Sequence, residues 1–175
     1  MSSMPFETTS VAVPGGRVVV VVDPDDGAVV ASGFGDLGTT FGFLTDVEQQ
    51  RGVIEVDAAD DSVRPVVAAL VAYADGDLAA LDDVVVRQPG GAFMQRAWIE
   101  LRSVKAGETD SYAGLAVRAG SPKAVRAAGQ ACATNKVAPF VPCHRILRTD
   151  GSLGGYAYGL PVKEALLVHE GALLS

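Results

Sequence analysis

A chain of 175 residues, 49% of them hydrophobic, is large enough for one or two compact domains with a real core. Its longest aliphatic run, the five valines of residues 18–22, is far too short to cross a membrane, and no Cys/His group has zinc-ligand spacing. The net charge of −7 is unevenly spread: residues 1–90 carry a net of −11 and residues 91–175 a net of +4, so only the second half is suited to phosphates. Two cysteines, with no basic-then-apolar start to the chain, point to free thiols in a reducing cytoplasm.

The first half reads as strands and turns. An apolar stretch at residues 10–13, the turn Pro14-Gly15-Gly16, a strand at 17–22, the turn at 23–27 and a strand at 28–34 form two successive hairpins. A Gly-rich stretch follows at residues 33–42. Val66, Val67, Leu70 and Val71 recur at helical spacing within residues 63–73, with Pro65 near the start and Asp75-Gly76-Asp77 as the stop. Residues 82–86 predict a short strand. Gln88-Pro89-Gly90-Gly91 is the linker, dividing a first domain at 1–88 from a second at 92–175.

The second half reads as helices. Phe93, Met94, Ala97, Trp98 and Leu101 make one apolar stripe, with Trp98 in the core. Ser111 caps a short helix at 112–118 that Ala119-Gly120 ends. Ser121 and Pro122 then predict the N-cap and first residue of a second helix, running to about residue 133. Two short helices around a Gly-containing turn have helix-turn-helix spacing, though any two packed helices look alike. The second helix is small-surfaced (Ala124, Ala127, Ala128, Gly129, Ala131) and carries Lys123 and Arg126, which suits close approach to a nucleic acid. A last helix spans 161–170. The loop at 150–159, rich in Gly with Tyr156 and Tyr158, is either a plain surface loop or a wrap for a planar ligand.

Pro142-Cys143-His144-Arg145 places a thiol beside an imidazole, the residues of an activated nucleophile. Sequence neighbours point apart on a strand and do not face each other on a helix, so the pair needs a sharp turn or an intervening water to communicate. A buried structural Cys beside an unrelated His is the competing reading.

The three segments Ser121-Pro122-Lys123-Ala124-Val125-Arg126-Ala127-Ala128-Gly129, Pro142-Cys143-His144-Arg145 and Val162-Lys163-Glu164-Ala165-Leu166-Leu167-Val168-His169-Glu170-Gly171 come in the order and spacing of one family. From Phe93 to Gly171 the chain resembles the 6-O-alkylguanine-DNA alkyltransferases, or methylated-DNA–protein-cysteine methyltransferases. The resemblance implies an α+β protein: a small N-terminal ribonuclease H-like α/β domain, then a mainly helical domain with a winged-helix-like helix-turn-helix. It implies direct-reversal repair, in which the alkyl group of 6-O-alkylguanine, and of 4-O-methylthymine as a second substrate, passes irreversibly to Cys143 after the base is flipped out. The implied roles follow. His144, oriented by Glu170, deprotonates Cys143 through a water. Tyr112 donates to guanine N3, and Asn135 is the hinge between recognition helix and active segment. Arg126 is the finger entering the duplex, on a DNA-binding surface with Lys123, Ala127 and Gly129. Ile146, Tyr156, Ala157, Tyr158 and Lys163 make the substrate pocket. The resemblance further implies no cofactor, no metal, no membrane, and a monomer that can cluster on double-stranded DNA.

The chain departs from the family pattern at Met94, at Lys136 after Asn135, and at Ala157-Tyr158. The last pair predicts a pocket lacking one hydroxyl and narrowed by one ring, and so a changed alkyl range. A DNA-damage sensor without transfer and a multiple-turnover Cys-His hydrolase or redox enzyme are the rival activities.

Overall fold

The computed structural model describes residues 3–174, and its architecture is mixed α+β. Strands β1 (Phe6–Val13), β2 (Gly16–Val22) and β3 (Val29–Phe34) form the two antiparallel hairpins expected from their turns. A short strand β4 (Val53–Glu55) adds to the far edge, parallel to β1, giving the order β3-β2-β1-β4. The five-valine run has a tertiary cause. Val18, Val20 and Val22 face the main core, while Val21 joins Phe6, Val30, Ala31 and Leu44 on the other side. A strand covered on both faces is apolar throughout instead of alternating.

Between β3 and β4 lie α1 (Leu37–Phe41), inside the Gly-rich stretch of residues 33–42, and α2 (Asp46–Arg51) beyond it, which cover that second face. α2 did carry a local signal. Thr45 and Glu48 form a capping box, each satisfying the other's backbone N–H. Arg51, on its last turn, pairs with buried Asp23 at 2.7 Å, and Arg87 meets the other Asp23 oxygen at 2.7 Å. These two guanidiniums, the first above all, pull the Asp23 carboxyl down to about 2.

Helix α3 (Arg64–Ala74) buries Val66, Leu70 and Tyr73. The strand expected at 82–86 is absent. Residues 81–83 turn, and only Val86 bridges to Val29, because the chain meets β3 for one residue and leaves Val85 exposed. α4 (Ala92–Ser103) buries Trp98 as expected, its Nε1 donating to the Ala131 carbonyl at 2.9 Å. One core joins the two halves, running from the valines of β2 through Leu70 and Tyr73 to Trp98, Leu101, Leu115 and Leu166.

A two-stranded parallel ladder follows: β5 (Asp110–Ser111) pairs with β6 (Ile146–Leu147). α5 (Tyr112–Arg118) is capped by the Ser111 side chain, and α6 is Val125–Ala133. α6 starts three residues later than expected, and Ser121-Pro122 does not open it. The Gly120 N–H donates to Val117 and the Ser121 N–H to Ala116, with Gly120 at φ +81°. That is the Schellman end of α5. Beyond it the Ala124 N–H donates to the Ser121 carbonyl at 2.8 Å, closing a turn that holds Lys123 ahead of α6, and no side chain caps that helix. The last helix, α7, is Leu160–His169, with Glu170 as its C-cap rather than its final turn. No helix among the described residues is long and apolar enough to cross a membrane.

Candidate active site

The reactive stretch is a turn. Cys143–Arg145 forms one turn of 3-10 helix, so successive side chains diverge by about a third of a revolution, and all three are buried. The β5–β6 ladder sets this turn beside the start of α5, because Asp110 pairs with Ile146 and Ser111 with Leu147. Tyr112 follows immediately. A cavity of about 210 Å³ opens on Cys143 and is walled by Tyr112, Gly129, Cys132, Ala133, Gly155, Tyr156 and Ala157. The α6 contributors fall at i, i+3 and i+4, one face of the helix. Cys132, the other of the chain's two cysteines, thus forms part of the wall.

Asn135 holds the sulfur. Its Nδ2 donates to Cys143 Sγ at 3.3 Å and to the Val141 carbonyl at 2.8 Å. Its Oδ1 accepts from Val137 N and from Gln88 Nε2, each at 3.2 Å. Burial pushes the Cys143 thiol up, against the pull of the Asn135 hydrogen bond and the Lys163 charge. The resting group is therefore the thiol, and it needs a base.

His144 is placed to be one. Its Nε2 meets Glu170 Oε2 at 2.9 Å, and burial keeps its pKa low despite the carboxylate. Glu170 is held far below the usual carboxylate range by His144 and Arg145, which overcome its own desolvation. An ionised Glu170 accepts the proton on Nε2, so Nδ1 carries the lone pair, and Nδ1 is buried with no protein partner. Cys143 Sγ and the His144 ring are not hydrogen-bonded to each other: the sulfur is bonded by Asn135 and the ring by Glu170. Arg145, the last residue of the Pro142–Arg145 motif, completes the cluster: Nε donates to Glu170 Oε1 at 2.9 Å, Nη2 to Oε2 at 3.0 Å and Nη1 to the Val104 carbonyl at 2.7 Å. Tyr73 of α3 also reaches it, its hydroxyl donating to Glu170 Oε2 at 2.7 Å.

Three expected pocket residues do not line the cavity. Lys163 is buried and its Nζ donates to the carbonyls of Ile146 (2.7 Å), Leu153 and Gly155 (3.2 Å), so it ties the loop to β6 from behind. Ile146 lies in the core. Tyr158 turns towards the N-terminal sheet, 5.5 Å from the Phe34 ring, and a side chain on Gly33 would strike its hydroxyl end. It therefore does not narrow the pocket; it packs edge-on against Tyr156, whose ring lies 5.5 Å away. Gly154, at φ +71°, lets the loop pass close to the Tyr112 hydroxyl, where a Cβ would sit at 3.3 Å. Arg126 on the first turn of α6 and Lys123 in the turn before it are exposed, with Ala127 and Gly129 half-buried. No metal-holding group of His, Cys, Asp or Glu is present among the described residues.

Residues 92–172 match the model of the 6-O-methylguanine DNA methyltransferase DNA-binding domain. This stretch, just under half of the chain, is similar to that family. Over 81 residues it is 52% identical to the bifunctional transcriptional activator/DNA repair enzyme Ada of Escherichia coli, covering 46% of this chain and 23% of that protein. It is 43% identical over 103 residues to a methylated-DNA–protein-cysteine methyltransferase of Methanosarcina acetivorans, 59% of this chain and 65% of that one. The chain thus spans less than two thirds of these relatives. The crystal structure of Mycobacterium tuberculosis OGT in complex with DNA superposes with a TM-score of 0.76 at 28% identity, covering 95% of this chain and 93% of that one. That likeness extends over both halves of the fold, including the half in which the sequence motifs are silent.

Proposed function

We propose that this chain is a direct-reversal repair protein that takes the alkyl group of 6-O-alkylguanine in DNA onto Cys143 once and irreversibly. The observation that carries the reading is a buried thiol at a small cavity, next in the chain to a neutral imidazole backed by an ionised carboxylate. In this reading His144 takes the Cys143 proton through a water, and Glu170 stabilises the imidazolium. The thiolate attacks the alkyl carbon. The S–C bond forms as the C–O bond breaks, and the electron pair passes to guanine O6 and into the ring. Tyr112 donates a hydrogen bond to N3 as that charge develops. The proton taken from Cys143 returns to the ring, leaving guanine and a thioether.

Guanine O6 is out of reach inside a duplex, so the base must be flipped out, at a cost of a few kcal/mol. The small face of α6 and the exposed Arg126 are suited to the minor groove, with Arg126 filling the space left behind and Lys123 facing phosphate. Residues 92–175 are then a winged-helix-like DNA-binding domain. Residues 1–88, with sheet order β3-β2-β1-β4 and β4 parallel to β1, are a ribonuclease H-like scaffold. The reading is of a monomer on double-stranded DNA, in a cytoplasm reducing enough to keep both thiols free.

Mass spectrometry after incubation with duplex DNA containing 6-O-methylguanine is expected to find one methyl group on the peptide around Cys143, at one per protein. Tight binding without transfer would favour a damage sensor, and more than one turnover would favour a hydrolase. In the same assay, Arg126→Ala is expected to slow transfer from duplex by about 10² while leaving transfer from the free base within about twofold. Equal losses on both substrates remove the finger role.

A further inference from the structure

Glu170 Oε2 is shared. It accepts from His144 Nε2, from Arg145 Nη2 and, at 2.7 Å, from the hydroxyl of Tyr73, which belongs to the opposite half of the chain, 97 residues earlier. Tyr73 is fully buried and lies among the largest side chains of the core. For packing alone a phenylalanine would serve. The hydroxyl costs free energy to bury unless it is bonded, and its single side-chain partner is the oxygen that His144 uses.

We infer that Tyr73 is a positioning residue of the transfer reaction, setting through Glu170 the basicity of His144 and so the pH at which Cys143 becomes reactive. A hydroxyl donating to a carboxylate draws off part of its charge, and less then remains to hold a proton on the imidazole. Tyr73 thereby keeps His144 a free base at neutral pH, while Arg145 on the other lone pairs keeps Glu170 ionised. Burial pushes the Tyr73 phenol well above its ordinary range, so it remains a donor throughout the working range. The inference gives the N-terminal half a chemical part in the site, beyond bracing it, and it rests on the reading of Cys143 as the alkyl acceptor.

Other charged and titratable groups face the cluster. Arg145 and Lys163 act on His144 from the 3-10 turn and from α7. Cys143 neighbours it in the chain, and the Tyr156 ring stands edge-on at 6.5 Å. His169 packs on the Tyr73 ring at 5.0 Å, and its Nε2 meets the Tyr73 carbonyl oxygen at 2.7 Å. All of them persist when only the Tyr73 hydroxyl is changed.

The test is the pH profile of Cys143 alkylation, followed by mass spectrometry of its peptide, in the wild-type protein and in Tyr73→Phe. Two reagents are used: duplex DNA containing 6-O-methylguanine, and iodoacetamide, which reads the thiol and its base without assuming any substrate. Removing the donor concentrates the carboxylate charge on His144, so the acid limb is expected to move to higher pH by about half a unit or more with both reagents. Site-specific 3-fluorotyrosine at position 73, a stronger donor of nearly the same shape, is expected to move it the other way, and it keeps the inference testable if the phenylalanine protein folds poorly. Profiles that superimpose across the three proteins, or that shift in the opposite sense, overturn the inference. If the iodoacetamide profiles shift while DNA transfers no methyl group, the proposed function is overturned, and what stands is the coupling of Tyr73 through Glu170 to His144 and the Cys143 thiol.

Discussion

Cys143→Ser is expected to bind methylated duplex DNA within about threefold of the wild-type affinity and to transfer no measurable methyl group, a loss on the order of 10⁴-fold or more. The substitution changes one atom. A serine oxygen can still accept the Asn135 Nδ2 hydrogen bond that the sulfur accepts at 3.3 Å, so the segment from 135 to 143 keeps its shape. What is lost is the nucleophile. A thiol gives up its proton to an imidazole at modest cost and yields a soft anion suited to saturated carbon, whereas an alcohol is several pKa units harder to ionise. Cys132 does not substitute, although it lines the same cavity, because burial pushes its thiol far up and it has no base in contact. DNA binding by fluorescence anisotropy and label transfer on the same sample check both halves of the expectation. Transfer that survives in the variant would move the acceptor elsewhere, and lost binding would make Cys143 part of the DNA contact.

Glu170→Gln is expected to cost about 3 kcal/mol of stability at neutral pH and to slow transfer by about 10² to 10³. The amide is nearly the same size, so the change is one of charge. Arg145 would keep its positive charge in a buried site with no counter-ion, and His144 would lose the group that stabilises its protonated form. The pH dependence follows from the depressed carboxyl. The folded pKa lies far below the ordinary value of 4.5, so the stabilisation is present above that value and is lost as pH falls below it. Urea denaturation at pH 7 and at pH 3 should therefore show a large gap between the two proteins closing in acid. A gap that is constant with pH, or absent at pH 7, would mean that the cluster does not depend on the Glu170 charge.

Much of this protein was legible one element at a time. The two hairpins follow from β-branched runs around Gly turns, the α4 stripe from its spacing, and the α5 cap from Ser111. The order of the three motifs was enough to resemble one family, and residues 92–172 match the model of its DNA-binding domain. The misreadings came where one residue had two possible local uses. Ser121-Pro122 is as good a helix start as sequences offer, yet Ser121 closes α5 because Gly120 adopts a positive φ and turns the Ser121 N–H back onto the helix end. The Thr45–Glu48 capping box was open to view, but α2 is six residues long and has no apolar stripe to draw attention to it.

The sequence by itself brought forward Cys143, His144 and Glu170 as the candidate nucleophile, base and orienting acid, the first two as a thiol beside an imidazole and the third through the family resemblance. Only the tertiary structure decided what surrounds them. Tyr73 and Gln88 reach Glu170 and Asn135 from chain segments 97 and 47 residues away, while Tyr158, Ile146 and Lys163 stand behind the cavity instead of in it. The reason is physical: a side chain's chemistry is written in its type, but its direction depends on packing between segments far apart in the chain, and no local pattern records that.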